Sequence, residues 1–132
     1  MMASAFAPLS LLAVSAGAVL GALLRYLANV TALHYIGHRF PWATLAVNLL
    51  GCFLAGALLA WVMRGAVSET GRLFWMVGFL GALTTFSAFS VETLTLLQSG
   101  ALSKVAVNIG LNVVGSLLAV TFGFWLVRDV LS

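Results

Sequence analysis

Apolar residues fall in four long blocks along the chain, each separated from the next by a short polar break. The first block covers roughly residues 9–27, with Arg25 and Tyr26 near its far end. The mixed stretch "NVTALHYIGHRFPW" follows as a connection or as an extension of the same helix, and Pro41 suits the first turn of the next one. The second block covers roughly 42–63, and the polar stretch "RGAVSETGR", residues 64–72, reads as a loop. The third covers roughly 73–97, and the fourth, after the turn "QSGALSK", covers roughly 105–127 and ends at Arg128 and Asp129. A helix of about 20 residues, rising 1.5 Å per residue, crosses a hydrocarbon layer about 30 Å thick. The pattern therefore predicts an all-α membrane protein, a single four-span domain over residues 1–132.

Composition narrows the class further. The chain of 132 residues is 63% hydrophobic and 7% charged, against about 25% charge in a soluble domain. Too little charge is present to cover a water-facing surface, and four spans leave no room for a soluble domain. Six basic residues in no run exclude nucleic-acid binding. The opening "MMASAFAPLSLLAVSAGAVLGALLRY" lacks a basic start and stays apolar too long for a signal peptide, so it reads as the first span. The single cysteine, Cys52, has no intrachain partner and reads as a small buried hydrophobe. His34 and His38 stand in a loop without a cysteine or acidic cluster, which argues against a catalytic metal. No nucleophile, base and orienting group converge by spacing, and no glycine-rich phosphate loop is present. Conduction or transport fits better than an enzyme.

The charges also bear on orientation. Four spans put Arg64, Arg72 and Arg128 on one side of the membrane and Arg25, Arg39 and Lys104 on the other. Three against three gives the positive-inside rule no preference. Such a chain is a candidate for insertion in both directions and for an antiparallel dimer. Trp42, Trp61, Trp75 and Trp125 fall near the block ends and read as interface anchors. The glycines of "GAVLG" at 17–21 and "GFLGA" at 78–82 permit close helix contact.

Polar side chains inside the blocks are costly in lipid and mark packed or wetted surfaces. Asn48 stands alone in the second block, while Asn108, Asn112 and Ser116 follow one another at spacings of four in the fourth. That spacing places the three on one helix stripe, as interhelical glue or as an uncharged polar path for an ion. In the third block, Gly81, Thr84, Thr85 and Ser87 loosen the helix at its middle, or serve packing in a continuous one. A loosened helix offers main-chain carbonyls as cation ligands. Phe86 and Phe89 share a face, and Glu92 is an ionisable group within the same block.

At "GFLGALTTFSAFSVET" the sequence resembles the small bacterial fluoride channels, the Fluc or CrcB family. The resemblance continues through "GAVLGALLRY", "TLAVNLLGCFLAG" and "NIGLNVVGSLLAV", and so touches all four blocks in order. It implies an antiparallel, dual-topology homodimer in the bacterial inner membrane, exporting fluoride passively along two paths and relieving its toxicity. It implies a third helix broken at the dimer centre, where carbonyls matching Gly81 and Thr84 hold a structural sodium ion. It places Asn48, Phe86 and Phe89 along the fluoride path, with Asn112 and Ser116 on a polar track. Arg25, Thr85, Glu92 and Asn108 stand as accessory candidates. Asn112 replaces a hydroxyl residue of some relatives, and Val120 stands where some carry a threonine, so the track is expected to be shorter here. The competing readings are a structural membrane subunit, with the amides as glue, and a small proton-coupled transporter titrating at Glu92. Membrane lipid is the surrounding partner in every reading.

Overall fold

The computed structural model describes residues 6–130, so residues 1–5 of the stretch weighed above against a signal peptide lie outside it, as do residues 131–132. Four helices are long and apolar enough to cross a membrane: α1 (Pro8–Tyr35), α2 (Trp42–Met63), α3 (Glu69–Gln98) and α4 (Leu102–Val130). The second keeps the expected bounds, and the other three run past theirs wherever a local signal carries them. Pro8 occupies the first turn of α1, behind an extended Ala7. The helix takes in the "NVTALHY" stretch and stops where Gly37 adopts a φ of +91°. His34 thus sits in the last helical turn and not in a loop.

The polar stretch 64–72 is also only partly a loop. Ser68 caps a helical turn at Glu69–Arg72, its hydroxyl accepting the Gly71 N–H at 3.1 Å. Arg72 closes on Glu69 at 2.8 Å, three residues away. A capping serine followed by an opposite-charge pair at this spacing favours helix over loop, so α3 begins at Glu69.

The bundle packs as two tight pairs, α1 on the first part of α3 and α2 on α4. Small residues make the contacts. A methyl group added at Gly17 or Gly21 would meet the backbone of Phe74 or Phe79, and one at Gly78 would meet Val14. In the other pair, Gly56 lies against the Val120 carbonyl and Gly123 against the Phe53 carbonyl. Glycines and alanines fill the inside while Leu12, Leu24, Leu117 and Leu118 face outward. That inverts the order of a water-soluble core, as expected when lipid is as apolar as leucine and close backbone packing holds helices together. Val47 of α2, with Leu80 and Leu83 of α3, forms a buried cluster joining the pairs.

Polar contacts at the ends fit an up-and-down order. The Arg64 guanidinium donates to the Arg128 carbonyl at one end. Lys104 donates to the Arg39 carbonyl at 3.0 Å at the other. Three stretches wind more widely, with π-helical geometry: Leu73–Leu80, Leu111–Gly115 and Leu126–Val130. The middle one carries Asn112.

Candidate functional site

Helical geometry in α3 lapses at two residues. Thr84 (φ −80°, ψ 151°) and Thr85 (φ −151°, ψ 122°) are extended, between the α-helical stretches Gly81–Leu83 and Phe86–Gln98. Gly81 itself keeps helical angles (φ −62°, ψ −33°), so the departure lies three residues beyond the glycine expected to cause it. Both threonines are β-branched and tolerate extended backbone. Their hydroxyls then take over local bonds. Thr84 Oγ1 donates to the Leu80 carbonyl at 2.9 Å, and Thr85 Oγ1 accepts the Ala88 N–H at 3.1 Å as the N-cap of the next stretch.

Asn48 completes the arrangement from α2. Its Oδ1 accepts the Thr85 N–H at 2.8 Å and its Nδ2 donates to the Thr85 carbonyl at 3.0 Å. One side-chain amide thus satisfies both main-chain groups of an extended residue, as a neighbouring strand would. One turn on, Gly51 leaves room for the Thr84 methyl, which a side chain there would strike. These bonds also release two carbonyls. The N–H groups of Thr85 and Ala88, the helical partners of the Gly81 and Thr84 carbonyls, are spent on Asn48 and on the Thr85 hydroxyl.

Asn48, Phe86, Phe89, Asn112 and Ser116 all line one open groove of about 580 Å³, with Gly81, Thr84 and Thr85 along its wall. Among the described residues, no Asp, Glu, Lys, Arg or His lines it. Phe86 and Phe89 approach at 5.2 Å between ring centres with planes inclined by 58°. Their burial differs sharply: Phe89 is 6% exposed and Phe86 74%. Cys52 is half-buried in this wall and is not the core residue expected from its setting. Its position one turn beyond Asn48 puts it on the same face.

Behind the groove the amides join into a chain. Asn48 Nδ2 donates to Asn112 Oδ1 at 2.9 Å, and Asn112 Nδ2 donates to Asn108 Oδ1 at 2.9 Å and to the Asn108 carbonyl at 3.0 Å. Asn108 Nδ2 donates to Thr93 Oγ1 at 3.0 Å, and that hydroxyl donates to the Phe89 carbonyl at 2.7 Å. Asn108 is fully buried and does not reach the groove. Arg25 and Glu92 lie elsewhere, on a second cavity of about 310 Å³ that Thr85 also lines. Arg25 Nε donates to the Ala82 carbonyl at 2.9 Å, and Glu92 Oε1 accepts from Thr44 Oγ1 at 2.7 Å. Glu92 Oε2 is buried with no hydrogen-bond partner among the described residues.

Three contributors escaped the sequence reading: Thr44, Gly51 and Thr93. Thr44, Asn48 and Cys52 recur at spacings of four, a stripe that was visible in α2. Thr93 pairs with Asn108 of another helix, and no spacing announces that.

Comparison with known proteins fits this geometry. The family described as "CrcB-like protein, Camphor Resistance (CrcB)" matches residues 12–124. A protein of Hydrogenovibrio crunogenus named "Fluoride-specific ion channel FluC" is 41% identical over 128 residues, covering 96% of this chain and 97% of its own. One of the same name from Legionella pneumophila (strain Paris) is 46% identical over 121 residues, covering 91% and 90%. Another from Idiomarina loihiensis is 49% identical over 108 residues, covering 81% and 83%. With its four spanning helices the chain is a multi-pass membrane protein. A family match over residues 12–124, together with these near full-length relatives, shows that the chain belongs to the CrcB family.

Proposed function

We propose that the chain is a passive, fluoride-selective channel and not an enzyme, letting fluoride leave the bacterial cytoplasm across the inner membrane. The observation that carries this reading is the groove itself: amide, hydroxyl and ring edges gathered in one place without a charged side chain. Fluoride is small and strongly hydrated, so its water must be replaced at close range. N–H and O–H donors and the positive edges of aromatic rings serve that purpose. A lysine or arginine in the path would bind the ion too firmly to release it, and the groove has none.

The working unit in this reading is an antiparallel homodimer with two paths. Two features support it. The groove stands open along a face where Phe86 is 74% exposed, and a second copy would close it. Basic residues balance three against three across the membrane, leaving insertion unbiased. The carbonyls of Gly81 and Thr84 fit a structural sodium ion at the dimer centre, since both have lost their helical N–H partners. Neutral oxygen donors suit a hard monovalent cation. Two carbonyls from each copy would hold it, and when bound it supplies positive charge between the two copies. The break in α3 then serves two faces at once, with carbonyls toward the partner and rings toward the path.

Purified protein in liposomes tests the function. Fluoride efflux started by a potassium ionophore should be rapid, and chloride efflux should be absent. A folded protein that passes no fluoride overturns the reading. For assembly, Ala66→Lys with Val67→Lys should force one orientation and reduce flux, with rescue by an oppositely biased copy. Reporters at the C-terminus that find one orientation in the unaltered chain would remove dual topology.

A further inference from the structure

The chain of amides has a fixed direction, and both of its ends are main-chain groups. At one end the Phe89 carbonyl only accepts, so the Thr93 hydroxyl spends its proton there, at 2.7 Å. The Thr93 oxygen therefore faces a donor, and Asn108 must present Nδ2 to it. Its Oδ1 then faces Asn112, which must answer with Nδ2 and turn its own Oδ1 to Asn48. At the other end the Thr85 N–H only donates, so Asn48 must present Oδ1 there and Nδ2 to Asn112. The two ends demand the same polarity. Amide orientation, ordinarily an assignment, is here fixed by the logic of the network.

This orientation sets what each amide offers an ion. Both N–H groups of Asn48 Nδ2 are engaged, one on the Thr85 carbonyl and one on Asn112 Oδ1. Asn112 turns an oxygen toward Asn48, and an oxygen repels an anion. To offer its N–H groups instead, Asn112 would have to set its oxygen against two acceptors, Asn108 Oδ1 and the Asn108 carbonyl, now 2.9 and 3.0 Å away. Acceptor against acceptor at that range in a buried site is strongly unfavourable.

Resting on the fluoride-channel reading, we propose that Asn108 is a positioning residue that locks the Asn112 amide oxygen-outward, so that Asn112 competes with fluoride for Asn48 and is not itself an anion ligand. The lock keeps the ion's hold on Asn48 loose, which a conducting path requires. Asn108 touches neither the groove nor the ion and acts wholly through its neighbour.

The test measures fluoride current against fluoride concentration in planar bilayers, for the wild-type protein, Asn108→Leu and Thr93→Val. Leucine removes one of the two acceptors facing Asn112, while Thr93→Val leaves Asn108 without its orienting partner. Each is expected to lower the half-saturating fluoride concentration about fivefold and to lower the maximal current, because fluoride that takes the Asn48 N–H displaces Asn112 from Asn48, and with the Asn108 end loosened Asn112 can then turn its N–H groups to the ion. In an Asn112→Ser background the hydroxyl rotates freely, and Asn108→Leu should shift half-saturation less than twofold. A purely structural Asn108 would instead reduce folded protein and current together, with half-saturation unchanged. Half-saturation within twofold of wild type in both variants overturns the proposal, as does an equal shift in the serine background. Should Asn108→Leu not fold, Thr93→Val alone decides. The two readings fail separately: a folded wild type that carries no fluoride removes the channel, whereas a conducting wild type with unshifted variants removes the lock.

Discussion

Replacing Asn48 by leucine asks whether this side chain clasps the extended residues of α3 or merely ties two helices together. Leucine fills a similar volume but makes none of the three bonds at 2.8, 3.0 and 2.9 Å to the Thr85 N–H, the Thr85 carbonyl and Asn112. At about 1 kcal/mol net for each, their loss amounts to about 3 kcal/mol. Part of that returns, because the Thr85 N–H can fall back on the Gly81 carbonyl and close a helical bond worth about 1 kcal/mol. The expected net loss is about 2 kcal/mol, roughly thirtyfold in the folding equilibrium. A single interhelical side-chain bond in a membrane averages about 0.6 kcal/mol. The two cases are therefore separable. Unfolding in mixed detergent micelles gives the free energy, and carbon chemical shifts of Thr84 and Thr85 report whether they turn helical. A loss below about 0.6 kcal/mol with both threonines still extended would refute the clasp.

Other substitutions probe the same bundle. Gly56→Ala sets a methyl against the Val120 carbonyl and should cost about 2 kcal/mol by overpacking, whereas Gly110→Ala, with nothing within 4 Å, should be neutral or stabilising by up to about 1 kcal/mol; detergent unfolding compares them. Phe86→Ile and Phe89→Ile should each cut liposome fluoride flux at least about tenfold by removing a polarised ring edge, but only Phe89→Ile, at the buried position, should lower chain stability, by about 1 kcal/mol. Near-normal flux from the folded double variant would remove the rings from the path. Arg25→Met removes a charged hydrogen bond to the Ala82 carbonyl and should cost about 2 kcal/mol, read by the same unfolding measurement.

Much of this architecture was legible because hydropathy alone decides where a chain crosses lipid. The four blocks reappear as α1 to α4, and the residues expected along the path meet in one groove. Their ends were less legible. The "NVTALHY" stretch is polar enough to suggest a connection, yet nothing in it breaks a helix before Gly37. The turn at Glu69–Arg72 depends on Ser68 and a charge pair, local signals that the surrounding polarity concealed. The extended pair falls on two of the hydroxyl residues expected to loosen the helix, while Gly81 itself stays helical. Glycine loosens a helix only where another partner competes for its bonds, and the competitor, Asn48, reaches Thr85 and not Gly81. The Asn108–Thr93 bond was hidden altogether, since it depends on how α4 lies against α3.

Asn48 and Gly51 have a consequence for the order of events during membrane insertion. The extended pair is encoded on two helices: its threonines are in α3, but the amide that satisfies it and the space that admits the Thr84 methyl belong to α2. While α3 stands alone in lipid, no acceptor but the Gly81 carbonyl waits for the Thr85 N–H, and an unsatisfied N–H in hydrocarbon costs several kcal/mol. The segment Glu69–Gln98, 30 residues long, is therefore expected to enter the bilayer as one unbroken rod. Only when α2 comes alongside is the bond exchanged and the rod opened. The site is written by tertiary docking, after the membrane has already accepted all of its parts.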